Sequence, residues 1–88
     1  MITRTIEITT NRGLHARASA KIVTLASTLP ATVEVEKDGA RVVGTSIMGL
    51  MMLGAAIGDS VTISASGDGA EAAVAALAEL VENKFGEE

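Results

Sequence analysis

The hydrophobic residues of this chain change their spacing several times, from every second residue to every third or fourth and back again. Alternating spacing with Ile, Val and Thr is typical of half-buried strands. It occurs in four stretches, residues 2–9, 32–36, 40–43 and 61–65. These strands must share one sheet, and that sheet must bury one of its faces.

Helical spacing separates the strands. The predicted helices run from Ala16 to Thr28–Pro30, over about 47–53, and within 66–85. Pro30 ends the first helix, because the residue before a proline disfavours helical backbone. Ser46 is placed to be the N-cap of the second helix. The third helix starts at Asp68 or Gly69 and has Lys84 in its last turn, where a cation favours the helix dipole.

The element order is therefore β-α-β-β-α-β-α, within a single domain of residues 1–88. The Asp38-Gly39 pair joins the middle two strands in a hairpin, because it supplies the positive φ that tight turns need. We expect an α+β fold in which one four-stranded, mainly antiparallel sheet is covered on one face by three helices. The opposite face, with its Thr, Glu and Ser side chains, then meets water.

Composition excludes several classes of function. The only aromatic residue is Phe85 and the formal net charge is −4, so the chain lacks the stacking platforms and positive charge of nucleic-acid binders. It has no cysteine for a disulfide or a thiolate metal site, and its one histidine cannot hold a metal alone. The longest apolar stretch, 47–58, is too short to span a bilayer, and the N-terminus does not resemble a signal peptide. We expect a cytoplasmic monomer with no metal, no other cofactor and no membrane insertion.

The one histidine, His15, lies between a turn and a helix start in the stretch NRGLHARASAK, residues 11–21. A lone histidine is by default a surface or capping residue. At this helix N-terminus, however, the backbone N–H groups of Ala16, Arg17 and Ala18 are expected to point outward and form an anion site. The Arg17 side chain adds a cation suited to phosphate. A neutral imidazole here could accept a phosphoryl group, although a histidine that binds an anion without reacting would use the same parts.

The chain offers little catalytic equipment beyond His15. It has no second histidine, no cysteine, no clear carboxylate pair and no Gly-rich P-loop. A carrier that other proteins load and unload needs little more than what is present. We therefore expect a relay protein and not an enzyme.

Three stretches together resemble HPr, the histidine-containing phosphocarrier of the bacterial phosphoenolpyruvate-dependent phosphotransferase system. They are GLHAR at 13–17, KDGARVVGTSIMGLMMLGA at 37–55 and GDSVTISASGDGAEAA at 58–73. The resemblance implies an open-faced β-sandwich, in agreement with the periodicity. It also implies that His15 accepts a phosphoryl group on Nδ1 from phosphorylated enzyme I and passes it to an enzyme IIA component. Arg17 would steady the phosphate, and Asn11 and Gly13 would shape the turn that presents the ring.

One position departs from the family pattern. Most HPr sequences read G-L-H-A-R-P, and this chain has Ala18 in place of the proline. Proline early in a helix fixes φ and lacks an N–H, so Ala18 gives up stiffness and adds a donor. We expect phosphoryl chemistry to survive. The stretch ARASAK at 16–21 resembles the nitrogen-related, regulatory versions of proteobacteria more than the sugar-transport form.

The second candidate site is Ser46. Its capping role is worth about 0.5–2 kcal/mol against alanine. In HPr-like proteins the serine here can be phosphorylated by HPr kinase/phosphorylase, and a dianion beside an apolar docking patch would repel an acidic partner. The short helix that follows cannot bury an apolar surface all round, and flexible methionines suit a surface that meets several partners. The predicted partner-binding residues are Arg12, Lys21, Ile47, Met48 and Met51.

Two other functions stay open at this point. The first is a regulatory protein-binding module on the same fold, switched by phosphorylation of Ser46. Such a module would not need a nucleophile, so the presence of His15 favours the carrier. The second follows from the element order, which also describes ferredoxin-like modules such as metal chaperones. The missing cysteines and aromatic residues disfavour metal and RNA binding on that fold.

Overall fold

The computed structural model describes residues 1–86, which form one four-stranded antiparallel sheet and three α-helices. The strands are β1 (Ile2–Glu7), β2 (Thr32–Lys37), β3 (Ala40–Val43) and β4 (Ser60–Ser66). The helices are α1 (Ala16–Ser27), α2 (Ile47–Met52) and α3 (Ala70–Glu82), and a 3-10 turn covers Lys84–Gly86. The predicted α+β fold and its element order are confirmed.

The sheet has the order β1-β4-β2-β3, and each neighbouring pair is antiparallel. The alternation read from the sequence places most apolar strand side chains on one face; Val43, which pairs with Glu34, is an exposed exception on the other face. Helix α3 packs across β1, β4 and β2, while α1 packs against α2 and α3. The buried strand residues on this face include Ile6, Val33, Val35, Val61 and Ile63.

The opposite face of the sheet is polar. Thr5 and Thr62 share a hydrogen bond between their hydroxyl oxygens at 3.0 Å. Arg41 forms ion pairs with Glu34 at 3.4 Å and with Glu36 at 3.1 Å. The sheet is therefore open on this side, as the Thr and Glu positions of the sequence predict.

The hairpin between β2 and β3 also forms as predicted. Lys37 pairs with Ala40, so only Asp38 and Gly39 lie between the strands. Both have positive φ, 52° and 84°, which is the backbone that a two-residue hairpin needs.

Strand β1 is shorter than the alternation predicts, ending at Glu7 and not at residue 9. The cause is a double pairing at Ile8. Its N–H donates to the carbonyl of Asp59 at 2.7 Å, and its carbonyl accepts from Gly58 N–H at 2.9 Å. Two residues opposite one break the regular ladder, as in a β-bulge, although Ile8 remains fully buried.

Helix α3 also ends before the predicted boundary, at Glu82. Lys84 and Phe85 have φ values of 56° and 57°, a left-handed backbone that cannot continue the helix. The expectation that Lys84 lies in the last turn of this helix is therefore wrong. The tight turn instead folds the Phe85 side chain into the core, where it is 1% exposed.

No helix within residues 1–86 is both long enough and apolar enough to cross a membrane.

Candidate functional site

His15 is the N-cap of α1. Its backbone is extended, with φ −73° and ψ 179°, and its carbonyl accepts the first hydrogen bond of the helix from Ser19 N–H at 2.9 Å. The ring Nδ1 accepts a hydrogen bond from the Arg17 N–H at 3.2 Å. In the neutral ring this arrangement places the proton on Nε2 and leaves the lone pair on Nδ1, which faces the helix N-terminus.

The turn before His15 is packed directly against another segment of backbone. Gly13 has φ +62°, and a Cβ on it would lie 2.3 Å from the carbonyl oxygen of Ala55. The Leu14 N–H donates to the same oxygen at 2.9 Å. Only glycine allows this close approach, so the residue before Leu14 fixes how the histidine loop is seated.

Leu14 is held from its other side as well. Its carbonyl accepts a hydrogen bond from Ser19 Oγ at 3.3 Å, and the Ser19 side chain is buried. Sequence reasoning missed Leu14, Ser19 and Ala55 as parts of the site. A signal for Ser19 was present: a small polar residue next to Ala18 on the buried stripe of a helix needs a local partner.

The structure places the predicted phosphate-binding residues at the first turn of α1. Ala16 and Arg17 are exposed, whereas Ala18 is buried. The Arg17 N–H donates to the capping imidazole of His15 in this state, and its phosphate-binding role stays a prediction. Arg12 is exposed in the turn that precedes the helix.

Lys21 makes a long-range contact within the protein. Its ammonium donates a hydrogen bond to the carbonyl of Phe85, and the contact is partly buried. This bond ties the middle of α1 to the end of the described chain. Lys21 therefore has a structural contact of its own, and its partner-binding role stays a prediction.

Ser46 caps α2, as predicted, and its Oγ accepts a hydrogen bond from the Gly49 N–H at 3.0 Å. Of the apolar residues that follow, Leu50 and Leu53 are buried, and the others are exposed. We call the exposed group the methionine surface; it comprises Ile47, Met48, Met51 and Met52.

Met52 is the most exposed member of the methionine surface, at 80%, and sequence reasoning missed it. The signal was its spacing of four from Met48, which is 67% exposed, because residues four apart share a helix face. The helix that carries this surface, α2, packs against α1, the helix that His15 begins.

One carboxyl group near the histidine loop has a shifted pKa. The Ala56 N–H, which donates to Asp59 Oδ2 at 2.9 Å, and then the Lys37 ammonium hold the pKa of Asp59 below its ordinary value of 3.8. Residues 1–86 contain no group of three or more His, Asp or Glu side chains placed to share a metal ion.

Comparison with known proteins gives concordant matches. A family model described as the PTS HPr component phosphorylation site matches residues 2–83. The phosphocarrier protein HPr of Cupriavidus necator is 44% identical over 87 residues, which cover 99% of this chain and 98% of the relative. The phosphocarrier protein NPr of Shewanella violacea is 36% identical over 84 residues, with 96% and 92% covered. The crystal structure of HPr-C-His from Thermoanaerobacter tengcongensis matches with a TM-score of 0.95 at 49% identity, covering 100% of this chain and 99% of that one.

Proposed function

Because this chain belongs to the HPr family of phosphocarrier proteins, we propose that it accepts a phosphoryl group on His15 from phosphorylated enzyme I and passes it to an enzyme IIA component. The observation that carries the proposal is the position of Nδ1 at the N-terminus of α1, 3.2 Å from the Arg17 backbone nitrogen. The matches confirm the family that the sequence resembles, and the chain is a phosphocarrier-family protein.

The transfer step needs no proton to leave His15. The Nδ1 lone pair forms a bond to phosphorus while the bond between phosphorus and the donor breaks, and Nε2 keeps its proton. The Arg17 N–H then loses Nδ1 as its acceptor and can donate to a phosphoryl oxygen instead. The positive end of α1 and the Arg17 guanidinium stabilise the added charge.

Docking to the two partners would use the surface beside this site. The methionine surface supplies flexible apolar side chains that can fit more than one partner. Arg12 and Arg17 add positive charge in a region, residues 8–33, that has no acidic side chain. This combination suits acidic partner surfaces with an apolar centre. We place the relay in the cytoplasm.

The labelling test uses the protein with enzyme I and phosphoenolpyruvate. We expect one acid-labile phosphate per wild-type chain and none on His15→Asn. Asparagine is a good N-cap, so this variant keeps the start of α1 and removes only the nucleophile. Labelling of His15→Asn at the wild-type level would refute the carrier. Parallel reactions with sugar-type and nitrogen-type enzyme I would assign the physiological branch.

We also propose that phosphorylation of Ser46 by an HPr kinase/phosphorylase-type enzyme controls docking. The supporting observation is that the exposed Ile47 and Met48 directly follow the capping serine. A dianion there would sit at the edge of the methionine surface and oppose an acidic partner. Ser46→Asp should slow transfer to enzyme IIA while the His15 site itself stays intact.

This regulatory role could also be the main function, with the carrier chemistry secondary. Capture experiments separate the two possibilities. A partner whose binding changes with Ser46→Asp but not with His15→Ala would identify a regulatory module. Loss of the partner's response in His15→Ala would support the carrier.

A further inference from the structure

Lys37, at the end of β2, is a largely buried lysine with a defined set of partners. Its side chain is 16% exposed, and its ammonium lies 3.3 Å from Asp59 Oδ2. It also donates to the carbonyl oxygens of Leu53 at 3.4 Å and Gly54 at 3.3 Å. Asp38, at 3.6 Å, is a longer and exposed contact. Three of its partners thus lie in the segment 53–59, so Lys37 ties β2 to this segment.

Asp59 passes this restraint to a single peptide group. Its Oδ2 accepts the Ala56 N–H at 2.9 Å, and the carbonyl of Ala55 accepts the Leu14 N–H at 2.9 Å. The Ala55 carbonyl and the Ala56 N–H belong to the same planar peptide, and in a trans peptide they point in opposite directions. The carboxylate on one side therefore sets the direction of the carbonyl on the other.

We propose that Asp59, held by Lys37, is a positioning residue for His15 and acts through the Ala55–Ala56 peptide and Leu14. The inference rests on the proposed carrier function of His15. We call the two residues the Lys37–Asp59 clamp. Rotation of the peptide would remove the acceptor of the Leu14 N–H, the residue directly before His15, and would loosen the seat of the loop against Gly13.

The clamp differs from the surface ion pairs of the same protein in its cation, because Lys37 is 16% exposed while Asp59 is 40% exposed. Arg41 pairs with Glu34 and Glu36, but it is 49% exposed and these contacts join side chains only. Such pairs contribute little, typically about 0–1 kcal/mol. Arg41 lies on the same hairpin as Lys37, so Arg41→Met is a matched control that removes a cation without touching the segment 53–59.

The test combines kinetics with amide hydrogen exchange at a temperature where every variant is folded. Asp59→Ala and Lys37→Met should slow phosphoryl transfer from enzyme I to His15 by about tenfold or more, since small displacements of a reacting group are costly. They should also speed exchange of the Leu14 amide, while the Ile63 amide in the central strand β4 keeps its protection. Asp59→Asn, which retains an acceptor oxygen for Ala56, should fall between wild type and Asp59→Ala. Arg41→Met should match wild type in both measurements.

Three results would overturn the inference. The first is wild-type transfer and wild-type Leu14 exchange in folded Asp59→Ala. The second is an equal slowing in Arg41→Met. The third is an equal rise in exchange at Leu14 and Ile63 in the clamp variants, because that pattern would mean general destabilisation. The exchange measurement does not depend on phosphorylation, so a wild-type protein that fails to be labelled would refute the carrier and leave this positioning test intact. If Asp59→Ala does not fold, the Asp59→Asn and Lys37→Met variants decide the question.

Discussion

At the scale of single residues, one atom of His15 serves two needs. Its Nδ1 caps α1 by accepting from the Arg17 N–H, and in the proposed relay the same lone pair accepts the phosphoryl group. A phosphoryl oxygen can then replace the imidazole as the acceptor for that N–H. In the proposed relay, the Arg17 N–H would therefore have an acceptor in both the unloaded and the loaded protein, which suits a carrier that must be stable in each state.

Gly13→Ala tests how strongly the histidine loop is seated. A Cβ at this position would meet the Ala55 oxygen at 2.3 Å and the Ala56 Cα at 2.8 Å, so backbone must move. Gly39→Ala is the control, because Gly39 also has positive φ but a Cβ there meets nothing within 4 Å. Gly39→Ala should lower the free energy of unfolding by about 1–2 kcal/mol, which is the penalty for left-handed backbone alone. Gly13→Ala should lower it by a further ~1–3 kcal/mol, because of the clash with backbone. Urea unfolding measures both costs, and equal losses would contradict the packing argument. Only Gly13→Ala should slow labelling of His15.

Residues of this site differ in how far the sequence reveals them. His15 and Arg17 could be recognised because a turn, a helix start and a cation are adjacent in the chain. The contact between Leu14 and Ala55 could not, because it joins backbone atoms of distant segments and leaves no side-chain pattern. The contact of Lys21 could not be predicted for the same reason, since its acceptor is the Phe85 carbonyl near the other end of the chain.

At the scale of elements, α2 is the least self-sufficient helix. It has only six residues, too few for helix formation to be favourable without tertiary contacts and a cap. Its start was predicted from Ser46, and the predicted exposure of Ile47, Met48 and Met51 is observed, whereas that of Met52 was not predicted. Only Leu50 of its residues is buried, since the helix meets the rest of the protein on one narrow side.

Ser46→Ala should lower the free energy of unfolding by about 0.5–2 kcal/mol, the usual cost of losing an N-cap. Ser46→Asp should lower the free energy of unfolding much less, because the aspartate side chain can also accept a hydrogen bond from the Gly49 N–H. Ser27→Ala is the control: its hydroxyl is exposed and bonds only to the Val23 carbonyl within α1. Urea denaturation of the three variants gives the comparison. If Ser27→Ala lowered the free energy of unfolding as much as Ser46→Ala, the result would contradict the special role of the cap.

At the scale of the whole molecule, the end of the described chain closes the core. Phe85, the only aromatic residue, is buried next to a core of aliphatic side chains and has left-handed backbone. The spacing of the hydrophobic residues predicted that the third helix would continue through Phe85. Two left-handed residues replace that helix, at some cost in backbone strain, because the turn brings the largest core side chain inward.

Phe85→Ala should therefore cost about 3–5 kcal/mol, a large part of the ~5–15 kcal/mol that stabilises a typical domain. Phe85→Leu keeps most of the buried volume and should cost clearly less. Urea unfolding at constant pH measures both. A loss below about 1 kcal/mol in Phe85→Ala would mean that the chain end is not part of the cooperative core.

The acid stability of the whole molecule should depend in part on Asp59. In the folded protein the Ala56 N–H, and secondarily Lys37, lower the pKa of this carboxyl from its ordinary value of 3.8. In the unfolded chain the carboxyl titrates near the ordinary value, so as the pH falls the unfolded state binds the proton first. The stabilisation is therefore complete above the ordinary value and is lost as the pH falls through the lower, folded-state pKa.

Asp59→Asn removes this titration. The difference in unfolding free energy between wild type and Asp59→Asn should be constant above about pH 5 and should shrink toward about pH 2. Urea titrations across this range measure the difference, and a value that is the same at both ends would contradict the coupling between Asp59 and its two donors.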